Sequence, residues 1–163
     1  MSDNAIQDRF RGCLVGLACG DAVGTTLEFK RRGTFTPIDD MVGGGPFQLE
    51  PGQWTDDTSM ALCLAESLLR HDGFDPVDQM GRYVNWWRHG YLSSTGQCFD
   101  IGVATREALE AYCETNNPFA ASTRPDKAGN GSLMRLAPVA MFYQGDTNAL
   151  IHHAAQSSRT THG

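Results

Sequence analysis

The sequence predicts an all-α fold. Apolar residues recur at helical spacing in successive stretches, helix start and stop residues bound those stretches, and no βαβ rhythm, internal repeat or low-complexity tract breaks the pattern. A length of 163 residues suits one domain over 1–163, large enough to bury a real core.

The first helix is marked by Ile6, Phe10, Cys13, Leu14 and Leu17. Gly12, Gly16, Gly20 and Gly24 follow one another at steps of four, which leaves one face of this helix without side chains and open to close backbone packing. Arg9, Arg11 and Asp21 in the same segment exclude a membrane dimer motif. Residues 30–54 carry no period and hold Gly43-Gly44-Gly45-Pro46 and Pro51-Gly52, the composition of a functional loop. A second helix follows Thr55, and its run of Met60, Ala61, Leu62, Cys63, Leu64, Ala65, Leu68 and Leu69 is too apolar for a surface position. Asp75-Pro76 starts a third helix with Val77, Met80, Val84 and Trp87 on its inner face, stopped by Gly90. Ile101, Thr105, Ala108 and Tyr112 mark a fourth, closed by Asn116-Asn117-Pro118. After a Gly-rich turn, Pro138 within Leu133 to Ala140 requires a kink or a restart. Asp146 caps a last helix bearing Leu150, Ile151, Ala154 and Ala155.

A net charge of −6, from 19 acids against 13 Lys and Arg, argues against a broad nucleic-acid or anionic-membrane surface. Cys13, Cys19, Cys63, Cys98 and Cys113 are odd in number and dispersed, and several fall on apolar helical faces, so they read as reduced core residues of a cytoplasmic protein. The N-terminus lacks a basic start followed by an apolar core, and no apolar run is long enough to span a bilayer.

Chemistry is concentrated at Gln53-Trp54-Thr55-Asp56-Asp57. A buried helix here begins with a hydroxyl and two adjacent carboxylates, groups that must be bonded, paired or bound to a cation. Thr55, Asp56 and Asp57 can converge past the helix end as oxygen ligands for Mg²⁺ or Mn²⁺. The alternative is simple capping, with Thr55 as N-cap and the acids favouring the helix dipole. Glu28, between apolar neighbours at the end of the first helix, is either a solvated acid or a carboxylate aimed into a cleft. Asp100 opens a helix as an N-cap, from which it could also orient a substrate or accept a proton. Gly129-Asn130-Gly131-Ser132 and Met134 form a Gly-rich junction suited to phosphate, or else an Asn-Gly turn. His162 stands beyond the last helix, and His152 and His153 are expected to point apart. No nucleophile elbow, His-Glu-x-x-His or zinc cysteine pattern occurs, which disfavours serine hydrolases and zinc enzymes.

In order along the chain, several segments resemble the ADP-ribosylglycohydrolase family, most closely its dinitrogenase reductase-activating branch. They are Gly16 to Gly24, Glu28-Phe29, Val42 to Gly45, Pro51 to Thr58, Asp100-Ile101-Gly102, Ala128 to Arg135 and Thr161-His162. The resemblance implies a compact orthogonal bundle of helices with a pair of Mg²⁺ or Mn²⁺ ions that removes ADP-ribose from a modified side chain. It implies that Thr55, Asp56 and Asp57 ligate metal, with Glu28 and Asp57 beside Asp100, the acid–base or substrate-orienting carboxylate. It implies that Gly129, Asn130, Gly131, Ser132 and Met134 hold diphosphate and ribose, and that His162 contacts the ligand. Family members are longer and carry a second Asp-x-Asp-Thr/Asn group in their C-terminal part. Nothing in this sequence matches that group, so the expectation is an N-terminal portion of such a domain, completed by a further segment or a second chain. The expected ligand is ADP-ribose or an ADP-ribosylated protein. Two other functions stay open: a non-catalytic module binding the same ligand, and a Mg²⁺-dependent nucleotide phosphohydrolase.

Overall fold

The computed structural model describes residues 3–163. Six α-helices appear among them: α1 (Asp3–Gly24), α2 (Asp56–His71), α3 (Pro76–His89), α4 (Val103–Thr115), α5 (Ala137–Phe142) and α6 (Thr147–Arg159). Short 3-10 turns cover Thr25–Leu27, Pro125–Lys127 and Leu133–Arg135. The described residues contain no strand, only an isolated antiparallel bridge between Gly44 and Leu49 in the long loop. No helix among them is long and apolar enough to cross a membrane.

The apolar run after Thr55 makes α2 the central post. Met60 and Cys63 turn toward Met80, Tyr83 and Trp86 of α3 and Leu109 of α4, while Leu64 and Leu68 turn toward Val139 of α5. Each such side chain contributes about 1.5–3 kcal/mol on leaving water. Leu69, read from sequence as part of the same apolar run, is 75% exposed. Residue 69 falls outside the arc that α3 and α5 cover.

On α3 the inner face is turned relative to expectation. Gln79, Met80, Tyr83 and Trp86 are buried, whereas Val77 is 52% exposed and Val84 and Trp87 are only half-buried. The sequence hides this face because one of its members is polar. Gln79 Nε2 lies 3.1 Å from Tyr83 Oη, from Ser157 Oγ and from Thr160 Oγ1, tying α3 to α6. Asp75 and Asp146 cap α3 and α6 as expected. Pro138 marks a restart: the chain leaves the Leu133–Arg135 turn and begins α5 with the proline in its first turn, where the missing N–H has no partner to lose. On α6, Ala154 packs against the Leu64 cluster as expected and Ser157 is buried, whereas Ile151 is 63% exposed.

The cysteine expectation is corrected. Only Cys63 is buried, Cys98 and Cys113 are half-buried, and Cys13 and Cys19 lie on the exposed side of α1. No described residue packs on the glycine face of α1, since a Cβ built at Gly12, Gly16, Gly20 or Gly24 meets nothing within 4 Å. His152 and His153 do not splay apart: their rings stand 4.9 Å apart edge to face, and His153 stacks on Tyr143 at 4.4 Å.

The phase of α2 is tested by a pair of truncations read by urea denaturation. Leu64→Ala is expected to cost about 2–5 kcal/mol, and Leu69→Ala to stay within about 0.5 kcal/mol. The reverse ranking would mean that α2 presents its other face to the core.

Candidate functional site

The site begins with Asp21, an acid set between small and apolar residues near the end of α1. Its carboxylate accepts from the backbone N–H of Thr55 (3.0 Å) and of Thr58 (3.0 Å), and from the hydroxyls of both residues at 2.7 Å. Thr55 does occupy the N-cap position of α2, but its side chain makes no capping bond. Asp21 supplies the acceptor from another helix, and Ser59 returns both its N–H and its hydroxyl to the Thr55 carbonyl. With Thr55 and Thr58 held by Asp21, the carboxylates of Asp56 and Asp57 line a cleft of about 860 Å³.

Glu28 and Asp100 line the same cleft, as do Gly131, Met134 and His162. The expected N-cap role of Asp100 is corrected: Gly102 occupies that position, and Asp100 takes a left-handed backbone with φ 57° two residues earlier. Freed from the helix start, its carboxylate faces Glu28. Phe29, with φ 60°, is the other left-handed residue flanking the cleft, and an aromatic residue rarely adopts that conformation. Phe47 joins the two segments, its ring 6.4 Å from that of Phe29 and 5.4 Å from that of Phe99. Each outer ring neighbours one acid in sequence, so the aromatic row clasps Glu28 and Asp100 together. Gly45 allows the loop to press on the turn before Glu28: a Cβ there would fall 2.5 Å from the Thr25 carbonyl oxygen. Trp54 anchors the other side, donating from Nε1 to the Leu92 carbonyl while its own carbonyl accepts from Ser94 Oγ at 2.6 Å.

Crowding these acids holds back their charge. Burial pushes Asp56 up from 3.8 to about 8, helped by the negative neighbours Asp100, Asp57 and Asp21. Asp57 is raised as well, by burial and then by Asp21. Asp100 rises to about 7 through burial, the charge of Glu28 and a hydrogen bond shared with it.

At the far end, His162 lies across the glycines. A Cβ at Gly131 would come within 3.0 Å of Nε2, and one at Gly129 within 3.4 Å of Cδ2. Asn130 is exposed and does not line the cleft, and Ser132 turns away to bond Ser158 at 2.8 Å. The acidic cluster and the glycine turn, separated by more than seventy residues in sequence, thus share one cavity. Asp21 went unassigned in the sequence, although an acid set between Gly20 and Ala22 in the apolar half of the helix was its available signal. Arg135 and Thr161, which support His162, carried no such signal.

The donors facing the cleft beside α2 are all oxygens, and repulsion among their carboxylates is relieved by a positive charge, so the residues present suit a hard divalent cation. Thr55, Asp56 and Asp57 could supply part of its shell. Among the described residues, no three His, Cys, Asp or Glu side chains form a ready ligand cage by themselves.

Asp21→Ala is expected to lower the unfolding free energy by about 2 kcal/mol or more, because it orphans donors at the start of α2. Denaturant titration at neutral pH checks this, and an unchanged midpoint contradicts the tertiary cap. For Asp56 and Asp100 the folded-state values lie above the unfolded ones, so their protonated forms favour folding. That stability is complete below about pH 4 and is lost as pH rises through about 7 and about 8. In chelated buffer the Tm should fall over this window, and Asp56→Asn should flatten the fall. A Tm that rises there refutes the assignment.

A protein-family model described as ADP-ribosylglycohydrolase matches residues 2–163. The chain is 48% identical over 155 residues to the ADP-ribosylarginine hydrolase Tri1 of Serratia proteamaculans (strain 568), covering 95% of this chain and 42% of that protein. It is 32% identical over 166 residues to the ADP-ribosyl-(dinitrogen reductase) glycohydrolase of Rhodospirillum rubrum, covering 99% and 54%. A solved structure, an ADP-ribosylglycohydrolase-related protein complex, superposes with a TM-score of 0.83 at 49% identity, covering 97% of this chain and 50% of that one. The chain spans about half the length of the relatives it matches. With the ordered motifs, the helical architecture and the shared cleft all in agreement, the chain belongs to the ADP-ribosylglycohydrolase family.

Proposed function

We propose that this chain supplies the catalytic face of a metal-dependent hydrolase that removes ADP-ribose from ADP-ribosylated side chains, with arginine as the modified residue. The carrying observation is the single cleft that joins five acids, Asp21, Glu28, Asp56, Asp57 and Asp100, to the Gly131–His162 wall. Arginine is favoured by the 48% identity to a protein named for hydrolysis of ADP-ribosylarginine.

Thr55, Asp56 and Asp57 hold Mg²⁺ or Mn²⁺ in this reading. When bound, the ion supplies Lewis-acid charge for ribose hydroxyls and water. Asp100, beside Glu28, carries the proton near neutrality and delivers it to the departing guanidine nitrogen as water oxygen bonds to the anomeric carbon and the N-glycosidic bond opens. Asp57 stands beside them, where a carboxylate can take a proton from water. At the other end, Gly129, Gly131, Met134 and His162 receive the diphosphate and ribose, with Asn130 and Ser132 setting the turn. The remaining ligands come from a further segment or a second chain. A cytoplasmic setting is supported by cysteines that form no disulfide.

A second reading, ADP-ribose binding without turnover, is favoured by the partial ligand set. Both are tested with an ADP-ribosylated arginine substrate and Mn²⁺ or Mg²⁺. Release of intact ADP-ribose is expected, and Asp56→Ala/Asp57→Ala should lower the rate by about 10²-fold or more. Full rate in that double variant would sink the metal role. Calorimetric binding of ADP-ribose with no release selects the second reading, while free phosphate among the products points instead to a nucleotide phosphohydrolase.

A further inference from the structure

Arg135 has no part in the chemistry above, yet it is fully buried in the turn after the glycine loop. Its guanidinium lies 4.9 Å from the centre of the Tyr83 ring, and no carboxylate pairs with it among the described residues. A buried cation without an ion pair is costly, so its placement needs a reason. Its Nη2 reaches the Ser157 carbonyl at 3.2 Å and Thr160 Oγ1 at 3.4 Å, but its shortest contact is Thr161 Oγ1 at 2.6 Å. That hydroxyl in turn stands 2.8 Å from His162 Nδ1.

We infer that Arg135 is a positioning residue that fixes the tautomer of His162 through Thr161, so that His162 presents an Nε2–H donor to a ligand oxygen in the cleft. The ligand half of this inference rests on the ADP-ribose reading, whose diphosphate supplies such oxygens.

The direction of the relay follows from donor counting. A guanidinium has donors and no acceptor, so Thr161 Oγ1 must accept from Arg135. The hydroxyl keeps one proton to give. Thr161 is 2% exposed, and among the described residues His162 Nδ1 is the acceptor within its reach. Were Nδ1 protonated, the hydroxyl would accept twice and its own proton would be buried without a partner, an arrangement worth about 1–3 kcal/mol against it. Nδ1 therefore accepts, and the ring proton of the neutral imidazole sits on Nε2. Burial and the nearby Arg135 charge both lower the pKa of His162, which keeps the ring neutral. The Nε2 edge lies on the glycines: a Cβ at Gly131 would meet it at 3.0 Å and one at Gly129 at 3.6 Å. No protein acceptor engages Nε2 among the described residues, so its proton faces the cleft that His162 lines.

Ring-nitrogen NMR of the full chain at neutral pH reads the tautomer directly, with the His162 signals identified by their loss in His162→Gln. The expected spectrum has Nε2 protonated and Nδ1 unprotonated, with Nδ1 shifted by the hydrogen bond it accepts. Thr161→Val should move the Nδ1 signal to the position of an unbonded acceptor, and Thr161→Ser should restore it. ADP-ribose affinity, measured by calorimetry, should fall roughly fivefold in the valine variant and stay within about twofold in the serine variant. A proton on Nδ1 of the unaltered protein overturns the relay without any variant having to fold. An Nδ1 signal indifferent to Thr161→Val overturns it equally. A shifted signal with unchanged affinity removes the donor role toward the ligand. If the unaltered protein shows the expected tautomer but binds no ADP-ribose, the proposed function fails and the Arg135–Thr161–His162 relay stands.

Discussion

Asp21 accepts hydrogen bonds from both the backbone and the side chains of Thr55 and Thr58, and much of the molecule is arranged by that clasp. A helix start leaves unpaired N–H groups that something must satisfy. In α2 the N-cap threonine leaves this to a carboxylate brought from α1, so one residue performs two tasks. It fastens α1 to the central helix, and it holds the start of α2 against the cleft that the first-turn acids line. Without it, Thr55 would have to turn back on the helix, and the oxygens at this end of the cleft would lose their common orientation.

The clasp also concentrates negative charge where the fold affords little solvation. Asp56 is buried at 7% exposure, with Asp57, Asp100 and Asp21 all raising the energy of its ionised form. A sequence selected for stability alone would not place these groups together. The backbone strain at Phe29 and Asp100 belongs to the same pattern. Packing by Phe47 and the close approach at Gly45 hold both residues in left-handed conformations, which brings Glu28 and Asp100 to one spot. Stability comes from elsewhere, chiefly from the two apolar sides of α2 and the Gln79 junction between α3 and α6. The cleft is thus a strained, charged surface carried by an ordinary core.

The two ends of the cleft are linked by chemistry of opposite sign. The acids lie at the start of α2, while Arg135 is buried in the turn after the glycine loop with its guanidinium over the Tyr83 ring.

The helical class, the restart at Pro138, the caps at Asp75 and Asp146 and the buried run of α2 were all readable from order and spacing, because each depends on residues near one another in the chain. Thr55, Asp56 and Asp57 were readable as a cluster for the same reason. The inner face of α3 was not, because Gln79 looks like a surface residue until Ser157 and Thr160 arrive from α6. Asp100 looked like an N-cap because the sequence does not reveal the left-handed bend that moves it off the helix start. The role of Asp21 depends wholly on a helix more than thirty residues away. By itself, then, the sequence determined which segments are helices and which acids and glycines are candidates for the cleft. Only the tertiary structure decided where those side chains point, because hydrogen bonds between distant segments, not local propensity, choose among the orientations that each helix end permits.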